Sequence, residues 1–155
     1  MAYTTIDDPE KYFKPVKYVG NLLQHPVEGF NHQPDWLWFK NADTTNSHNL
    51  LDSTRGVTKR LRSDDNSAEA TVSTRLASFD ADGFTVSTDP AVNGNNNEIV
   101  VFSWAANGGS LTNVAESGDN PGFSRQTNTT SGFSIIKYTG TGAVGTIAHG
   151  LGIVP

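Results

Sequence analysis

The stretch that most constrains the fold is residues 33–41 (QPDWLWFKN), which holds two of the three tryptophans of the chain. Side chains alternate between the two faces of a strand, so Trp36 and Trp38 point to one face. Leu37 and Phe39 point to the other. Bulky apolar residues on both faces of a short segment bounded by turn-forming residues are typical of a buried strand. The stretch therefore predicts a central strand that is covered on both faces.

A second segment, residues 98–106, has the same two-sided apolar character and is the other candidate for a central position. Shorter strands are predicted around both segments, at 13–18, 48–52, 57–62, 84–87 and 133–138. Clusters of Gly, Asn and Asp separate them, as turns do between antiparallel strands. This pattern predicts an all-β fold, an antiparallel β-sandwich that is jelly-roll-like. Its predicted core contains Trp36, Trp38, Phe39, Phe84, Phe102 and Trp104.

Composition divides the chain into four parts. Residues 1–12 are predicted to be an N-terminal attachment segment, and residues 13–106 form the sandwich module. Residues 107–131 are rich in Gly, Ser, Asn and Thr, so we expect a linker or long loop there, which opens a C-terminal excursion of the same composition. Residues 132–155 are expected to be the start of a second repeat or a C-terminal hairpin.

The prediction of a second repeat comes from comparing the sequence with itself. Residues 13–20 (FKPVKYVG) resemble residues 133–140 (FSIIKYTG), and Phe, Lys, Tyr and Gly recur at the same spacing. The repeat predicts tandem modules of about 120 residues, and it predicts that Tyr138 and Gly140 lie in a setting like that of Tyr18 and Gly20. It also predicts that the chain stops where a second central strand would begin. Residues 147–155 should then join the sheet, be held by another chain, or be poorly ordered.

Length and charge exclude several classes of protein. A chain of 155 residues is long enough for one domain with a sizeable core. It has no cysteine, which excludes disulfides and thiolate metal sites. The net charge of −5 argues against a nucleic-acid or anionic-membrane partner. No apolar run is long enough to span a bilayer, and the first residues do not have the pattern of a signal peptide.

Several motifs taken together resemble a family of repeat modules in tail fibre and appendage proteins of marine bacteriophages, including cyanophages. The motifs lie at 18–20, 33–41, 52–56, 78–84, 104–106, 138–140 and 149–152, and the start of the chain (MAYTTIDDP) is also similar. The resemblance implies an all-β structural protein of the virion tail, assembled in the host cytoplasm. Its expected partners are other tail proteins and further copies of itself, with a trimer as the first choice. It implies no catalytic residues.

Each charged motif has both a local structural interpretation and a functional one. Asp80-x-Asp82-Gly83 is favoured as a turn over the start of a calcium loop, because a full set of oxygen ligands does not follow. Asp64, Asp65 and Glu69 are read as a solvated loop rather than as the acids of a glycan hydrolase.

Basic residues near the middle of the chain are read in the same way. Asp52 and Arg55 are favoured as a local pair around a turn, with contact to a neighbouring subunit as the alternative. Residues 58–62 (TKRLR) are favoured as a solvated edge, with a docking patch for an acidic partner second. The candidate partner contacts of the whole chain are Tyr3, Ile6, Tyr12, Arg55, Arg60 and Arg62.

The sequence therefore predicts a non-enzymatic virion module with no catalytic residues, metal or cofactor. The alternative is a lectin-like module that recognises a host glycan. In that reading Trp36, Trp38 and Trp104 form a sugar-stacking platform; core packing is preferred because their neighbours are also apolar. The third hypothesis is a glycan-degrading enzyme, which requires two acids across a cleft.

Overall fold

A computed structural model describes residues 6–154, and strands make up nearly all of its regular structure. The helical segments are a 3₁₀ turn, Pro9–Lys11, and α1, Pro90–Asn93. The strands are β1 (Phe13–Val19), β2 (His25–Glu28), β3 (Trp36–Asn41), β4 (Asn49–Asp52), β5 (Lys59–Arg60), β6 (Ala70–Thr71), β7 (Leu76–Asp80), β8 (Gly83–Val86), β9 (Glu98–Trp104), β10 (Thr112–Val114), β11 (Phe123–Asn128) and β12 (Phe133–Tyr138). The predicted all-β sandwich is confirmed.

The strands form four antiparallel sheets. The main sheet has the order β1-β9-β3-β4, so the two segments predicted to be central do lie in the middle. A second sheet, β2-β8-β7, packs against one face of the main sheet, and this face is called the inner face below. The pair β5-β6 extends the edge beyond β4 through a bridge between Leu50 and Leu61.

The core lies between the main sheet and the second sheet. Phe39 and Phe84 are fully buried, and their ring centroids are 5.2 Å apart across the two layers. Phe30 completes this aromatic centre at 5.4 Å from Phe84. The aliphatic side chains around the three rings are Val27, Leu37, Leu51, Leu76, Val86, Val92, Ile99 and Val101. All of these residues belong to the predicted sandwich module.

The other four predicted core residues do not lie in this core. Trp36, Trp38 and Trp104 are half-buried, and Phe102 is 37% exposed. Strand β3 alternates half-buried and buried residues along its length, so only its inner face is covered by the sandwich. The prediction of a strand buried on both faces is therefore wrong, because the second sheet covers one side of the main sheet only.

Residues 107–131 are not a linker. They contribute β10 and β11, which form a third sheet with β12 in the order β10-β11-β12. Buried side chains from this sheet, Phe123, Gln126 and Ile135, anchor it to the rest of the molecule. The segment forms strands because antiparallel pairing and a few buried side chains outweigh its weak intrinsic strand preference. We call β11 and β12 with their connection the hairpin.

The two copies of the proposed repeat have different surroundings. The Tyr18 hydroxyl donates to the Val92 carbonyl inside the sandwich, and burial raises its pKa well above the usual range. Gly20 is buried against the backbone of residues 93 and 94. Tyr138 is 57% exposed, and Gly140 is exposed with open space around it. The prediction of a common setting is wrong, because β1 pairs with β9 in the main sheet whereas β12 pairs with β11.

The last residues follow the hairpin without forming a strand. The His149 carbonyl accepts hydrogen bonds from Thr127 Oγ1 at 3.1 Å and Ser134 Oγ at 2.8 Å. The Ala148 carbonyl accepts one from Arg125. Residues 143–148 lie in coil, and the segment up to His149 is held by side chains of its own chain.

A matched pair of phenylalanine variants tests the assignment of inner and outer faces. Phe84→Ala removes a fully buried ring and should lower the free energy of unfolding by about 3–5 kcal/mol. Phe102→Ala removes an exposed ring and should cost less than about 1 kcal/mol. Urea unfolding measures both values, and equal losses would contradict the assignment.

Candidate functional site

The outer face of the main sheet carries all three tryptophans of the chain, together with Phe13 and Phe102. The strand register places its side chains in three rows across the sheet. The first row consists of Phe13, Trp104, Trp36 and Asp52. The second row consists of Pro15, Phe102, Trp38 and Leu50. The third row consists of Lys17, Val100 and Lys40.

The hairpin covers the tryptophans of the first row, whereas Phe13 remains 38% exposed. The Phe133 ring stacks on Trp104 with centroids 6.1 Å apart and planes inclined by 23°. Phe13, on the neighbouring strand β1, also packs against Trp104, and the two ring centroids are 4.8 Å apart. Ile135, on the same face of β12 as Phe133, is only 7% exposed. The hairpin thus acts as a third layer, but it extends over this end of the sheet only.

The second row remains open to solvent. Pro15 and Phe102 are exposed, while Trp38 and Leu50 are half-buried. The Trp38 and Phe102 rings are 6.2 Å apart and inclined by 59°, so they do not form one flat surface. The indole Nε1 of Trp38 donates to His48 Nδ1 at 2.7 Å. An apolar row open on a sheet face is the feature that marks interaction surfaces in soluble proteins.

The polar groups beside this row already have partners within the chain. Lys40 Nζ donates to the carbonyls of Thr44 at 2.9 Å and Asn46 at 2.8 Å. Lys17 pairs with Glu98 at 2.7 Å, and this hydrogen bond and charge raise the pKa of Lys17. The border of the second row therefore has satisfied lysines rather than free cations.

A buried carboxylate fixes the end of the main sheet from which the chain continues into β10. Asp35 is fully buried, and its Oδ2 accepts backbone N–H bonds from residues 106, 107 and 108 at 2.7–2.9 Å. Its Oδ1 accepts from Gly109 N–H at 2.9 Å and from Ser53 Oγ at 2.7 Å. Gly108 and Gly109 both have positive φ, a conformation that lets successive N–H groups point at one acceptor.

The hairpin is attached to the same cluster through Gln126. This side chain is 1% exposed. Its Nε2 donates to Ser53 Oγ at 2.7 Å and to Thr54 Oγ1 at 3.0 Å. Its Oε1 accepts from the Gly109 N–H at 2.9 Å. We call Asp35, Ser53, Gly109 and Gln126 the polar tether. Sequence reasoning missed the tether, because its hydrogen-bonded members are 17 to 74 residues apart.

The arginines considered as partner contacts are used inside the chain. Arg55 binds both oxygens of Asp52, through its backbone N–H at 2.9 Å and its Nε at 2.6 Å. It also reaches Glu69 at 3.1 Å. The Asp52–Arg55 motif thus forms a local ion pair that also caps a turn amide.

The reading of residues 58–62 as a solvated edge is wrong for Arg60, which is 8% exposed. Its Nε and Nη1 have no hydrogen-bond acceptor among the described residues. Burial, followed by the nearby charges of Arg75 and Arg62, lowers its pKa. Arg62 itself pairs with Asp65 at 2.6 Å. Because Arg60 packs inward, it does not contribute to a basic surface patch.

The N-terminal candidates lie beside the covered row. Ile6 and Tyr12 line an open cavity of about 260 Å³ together with Phe13, Trp104 and Phe133. The Tyr12 carbonyl accepts from the Ala105 N–H at 2.9 Å, so this part of the predicted attachment segment packs on the sandwich. Tyr3 lies outside the described residues.

The acidic motifs have structural roles. Asp82 lies in the β7–β8 turn and accepts the N–H groups of Gly29 and Asn31. Asp64 accepts the His48 N–H at 3.3 Å. The hydrogen bond from Arg62 lowers the pKa of Asp65 to about 2, which keeps this carboxylate ionised and unsuited to act as a general acid near neutral pH.

Residues 6–154 contain no group of three or more His, Asp or Glu side chains arranged to hold a metal ion. Over the same range, neither helical segment has the length and apolar character needed to cross a bilayer.

Asp35→Asn tests the polar tether. The amide has about the size of the carboxylate. Its NH₂ group, however, replaces one oxygen and faces backbone N–H groups that donate to that oxygen in the wild type. We expect the free energy of unfolding to fall by about 2–4 kcal/mol, because buried donors lose their acceptor. Glu28→Gln, an exposed carboxylate on β2, serves as the control and should change stability by less than about 0.5 kcal/mol. Equal effects of the two variants would contradict the proposed role of Asp35.

The Arg62–Asp65 contact gives a pH-dependent prediction. Because the pKa of Asp65 is lowered in the folded state, the contact contributes fully to the stability of the fold above the unfolded pKa of about 4. Its contribution disappears as the pH falls through about 2. NMR titration of the side-chain carboxyl carbon should show this low pKa, and Arg62→Met should raise it towards its ordinary value. An unchanged titration in that variant would refute the assignment, and Arg125→Met is the control.

Comparison with known proteins gives one match. Residues 8–155 match a family described as a domain of unknown function, DUF7483. Neither the curated proteins nor the solved structures include a match to the chain. The matched range covers the sandwich, the hairpin and the C-terminal coil, and therefore both copies of the proposed repeat. The chain belongs to the DUF7483 family.

Proposed function

We propose that this protein is a non-enzymatic structural module of a phage tail fibre or tail appendage, located in the virion. The observation that supports the proposal is the second row of the outer face, an apolar and partly aromatic surface that the chain leaves uncovered. A module that builds a fibre needs such surfaces to contact its neighbours. The phage context itself comes from the resemblance of the motifs at 33–41, 52–56 and 78–84 to modules of phage tail proteins.

The chemistry of the second row favours a protein partner. Phe102, Pro15 and Leu50 have no hydrogen-bonding side-chain group, and the Trp38 indole N–H is occupied by His48. The neighbouring lysines are bound to carbonyls or to Glu98. Aromatic residues are enriched at the centres of protein interfaces, where charged residues are depleted. The row has this composition, with its charged side chains at the border.

The alternative is a lectin-like module that binds a host glycan. The exposure of Phe102 beside Trp38 favours it, since sugar rings stack on accessible aromatic faces. Sugar recognition also needs convergent polar groups that fix the orientation of hydroxyls. The 59° inclination between the two rings and the internal pairing of Lys17 and Lys40 make the row a poorer platform for sugar than for protein.

The arrangement of the acidic residues supports the non-enzymatic part of the proposal. Glycan hydrolysis uses two carboxyl groups on either side of a cleft, one of them protonated. Here Asp65 is kept ionised by Arg62, and Asp64 is engaged with a backbone N–H. Glu69 pairs with Arg55. Each of the three acids considered for catalysis therefore has a structural partner.

Particles of the phage or prophage that encodes the chain provide the test. Antibodies raised against the purified protein should label virion tails in immunogold electron microscopy, and antibodies against a capsid protein serve as the control. Proteomics of the same particles should detect the chain in amounts comparable with other tail proteins. A chain absent from purified particles, or a gene located outside any phage genome, would refute the proposal. Saturable binding on a glycan array, lost in Trp38→Ala, would support the lectin-like alternative.

A further inference from the structure

We propose that Arg60, Arg62 and Arg75 form a binding site for a small tetrahedral oxyanion, phosphate or sulfate in type. The inference goes beyond the proposed structural function, which it neither needs nor tests. Three N–H donors mark the site: Nε and Nη1 of Arg60 and Nε of Arg62. All three nitrogen atoms are buried, and none of them has an acceptor within residues 6–154.

Backbone pairing brings Arg60 and Arg62 to one side of the chain. Leu61 lies between them, and its N–H and carbonyl both bond to Leu50 at 3.0 Å. Leu61 lines a groove on the outer face together with Trp36. Because side chains alternate along extended backbone, the two arginines point to the opposite, inner side. Arg60 is only 8% exposed there.

Arg75 reaches the same place from the second sheet. It directly precedes β7, and its Nη1 donates to the side-chain oxygen of the buried Asn49 on β4. The charges of Arg75 and Arg62 both act on Arg60, where they add to burial in lowering its pKa. A planar carboxylate is matched by the fork of one guanidinium group. Donors on separate guanidinium groups suit a tetrahedral anion better, because its oxygens point in several directions.

The charges around the site leave one positive charge unmatched. Asp65 pairs with Arg62 at 2.6 Å, and Asp89 pairs with Arg75 at 3.3 Å. Arg60 has no carboxylate partner among the described residues, although it is the one arginine of the three that is buried. A buried cation whose N–H groups lack acceptors is costly to fold. One bound oxyanion would supply both the missing acceptors and the missing negative charge.

The segment 63–69 limits the size of the ligand and provides its way in. All of its residues are exposed, and it connects β5 with β6, which have two residues each. Segments held by few buried contacts open locally at a low free energy. Such an opening admits a small ion to the buried N–H groups, whereas a charged polymer cannot enter.

Thermal unfolding of the full chain in inorganic phosphate tests the proposal, with sodium chloride at the same ionic strength as the reference. The Tm of the wild type should rise and then level off in the way a single site predicts, because a ligand that binds only the folded state stabilises it by mass action. Exclusion of phosphate from protein surfaces also raises Tm, but that effect does not saturate. Arg60→Met should lose the saturable rise. Lys11→Met removes an exposed cation far from the site in sequence and should keep it.

Isothermal titration calorimetry measures the affinity for phosphate directly. Arg60→Lys joins this experiment because it keeps the positive charge but lacks the Nε donor. Both Arg60 variants should bind phosphate at least tenfold more weakly than the wild type, and circular dichroism checks that they are folded. If one of them does not fold, the other is judged by the same criterion. Acetate should bind the wild type more weakly than phosphate does, and equal affinities would overturn the assignment to a tetrahedral anion.

Two results would overturn the site itself. The first is a wild-type chain without a saturable rise in Tm up to about 50 mM phosphate, since water alone would then satisfy the buried donors. The second is phosphate binding of equal affinity in the wild type and in the folded Arg60 variants.

Discussion

The polar tether around Asp35 is the constraint on which the arrangement of the layers depends. One carboxylate accepts N–H bonds from four successive residues after β9 and a hydroxyl bond from Ser53 after β4. The backbone N–H of Asp35 donates to the Trp104 carbonyl, and the Asp35 carbonyl accepts from the Ser53 N–H. The ends of three strands are thus fixed at one place, and the chain leaves that place towards the hairpin in a defined direction. Without an acceptor of this kind, a turn with four buried or half-buried N–H groups would be costly to fold.

The tether also explains why the two faces of the main sheet differ. The inner face packs on the second sheet and forms the core around Phe39 and Phe84. The outer face receives only the hairpin, whose position is set by Gln126 and by Phe133 on Trp104. A hairpin of two six-residue strands is too small to cover a four-stranded sheet. The open row is a consequence of this difference in size between the two layers.

Local patterns in the sequence were sufficient to predict much of the fold. Alternation identified β3 and β9 as strands, and their apolar character indicated a central position. The short-range pair of Asp52 with Arg55 was also readable, because its members are three residues apart. The same alternation does not reveal which face is covered, since Trp36 and Phe39 are equally apolar and only tertiary packing separates them. Asp35 beside a proline reads as a turn residue, and its acceptor role depends on N–H groups about 70 residues away. Strand β12 was predicted, but β10 and β11 were missed because they consist largely of polar residues, whose strand form comes from pairing.

The attachment of the hairpin has a consequence for how the molecule opens. The hairpin has its own strand pairing, and it contacts the sandwich through a few polar bonds, one aromatic stack and few buried apolar side chains, whereas the sandwich is held by a continuous core. Segments held by few buried contacts unfold locally at a lower free energy than the core. Detachment of the hairpin would uncover the tryptophans of the first row next to the second row, and the exposed apolar area of the outer face would increase. The strength of the tether therefore sets how often the folded protein exposes this apolar surface. It links local opening of the hairpin to the tendency of the chain to aggregate.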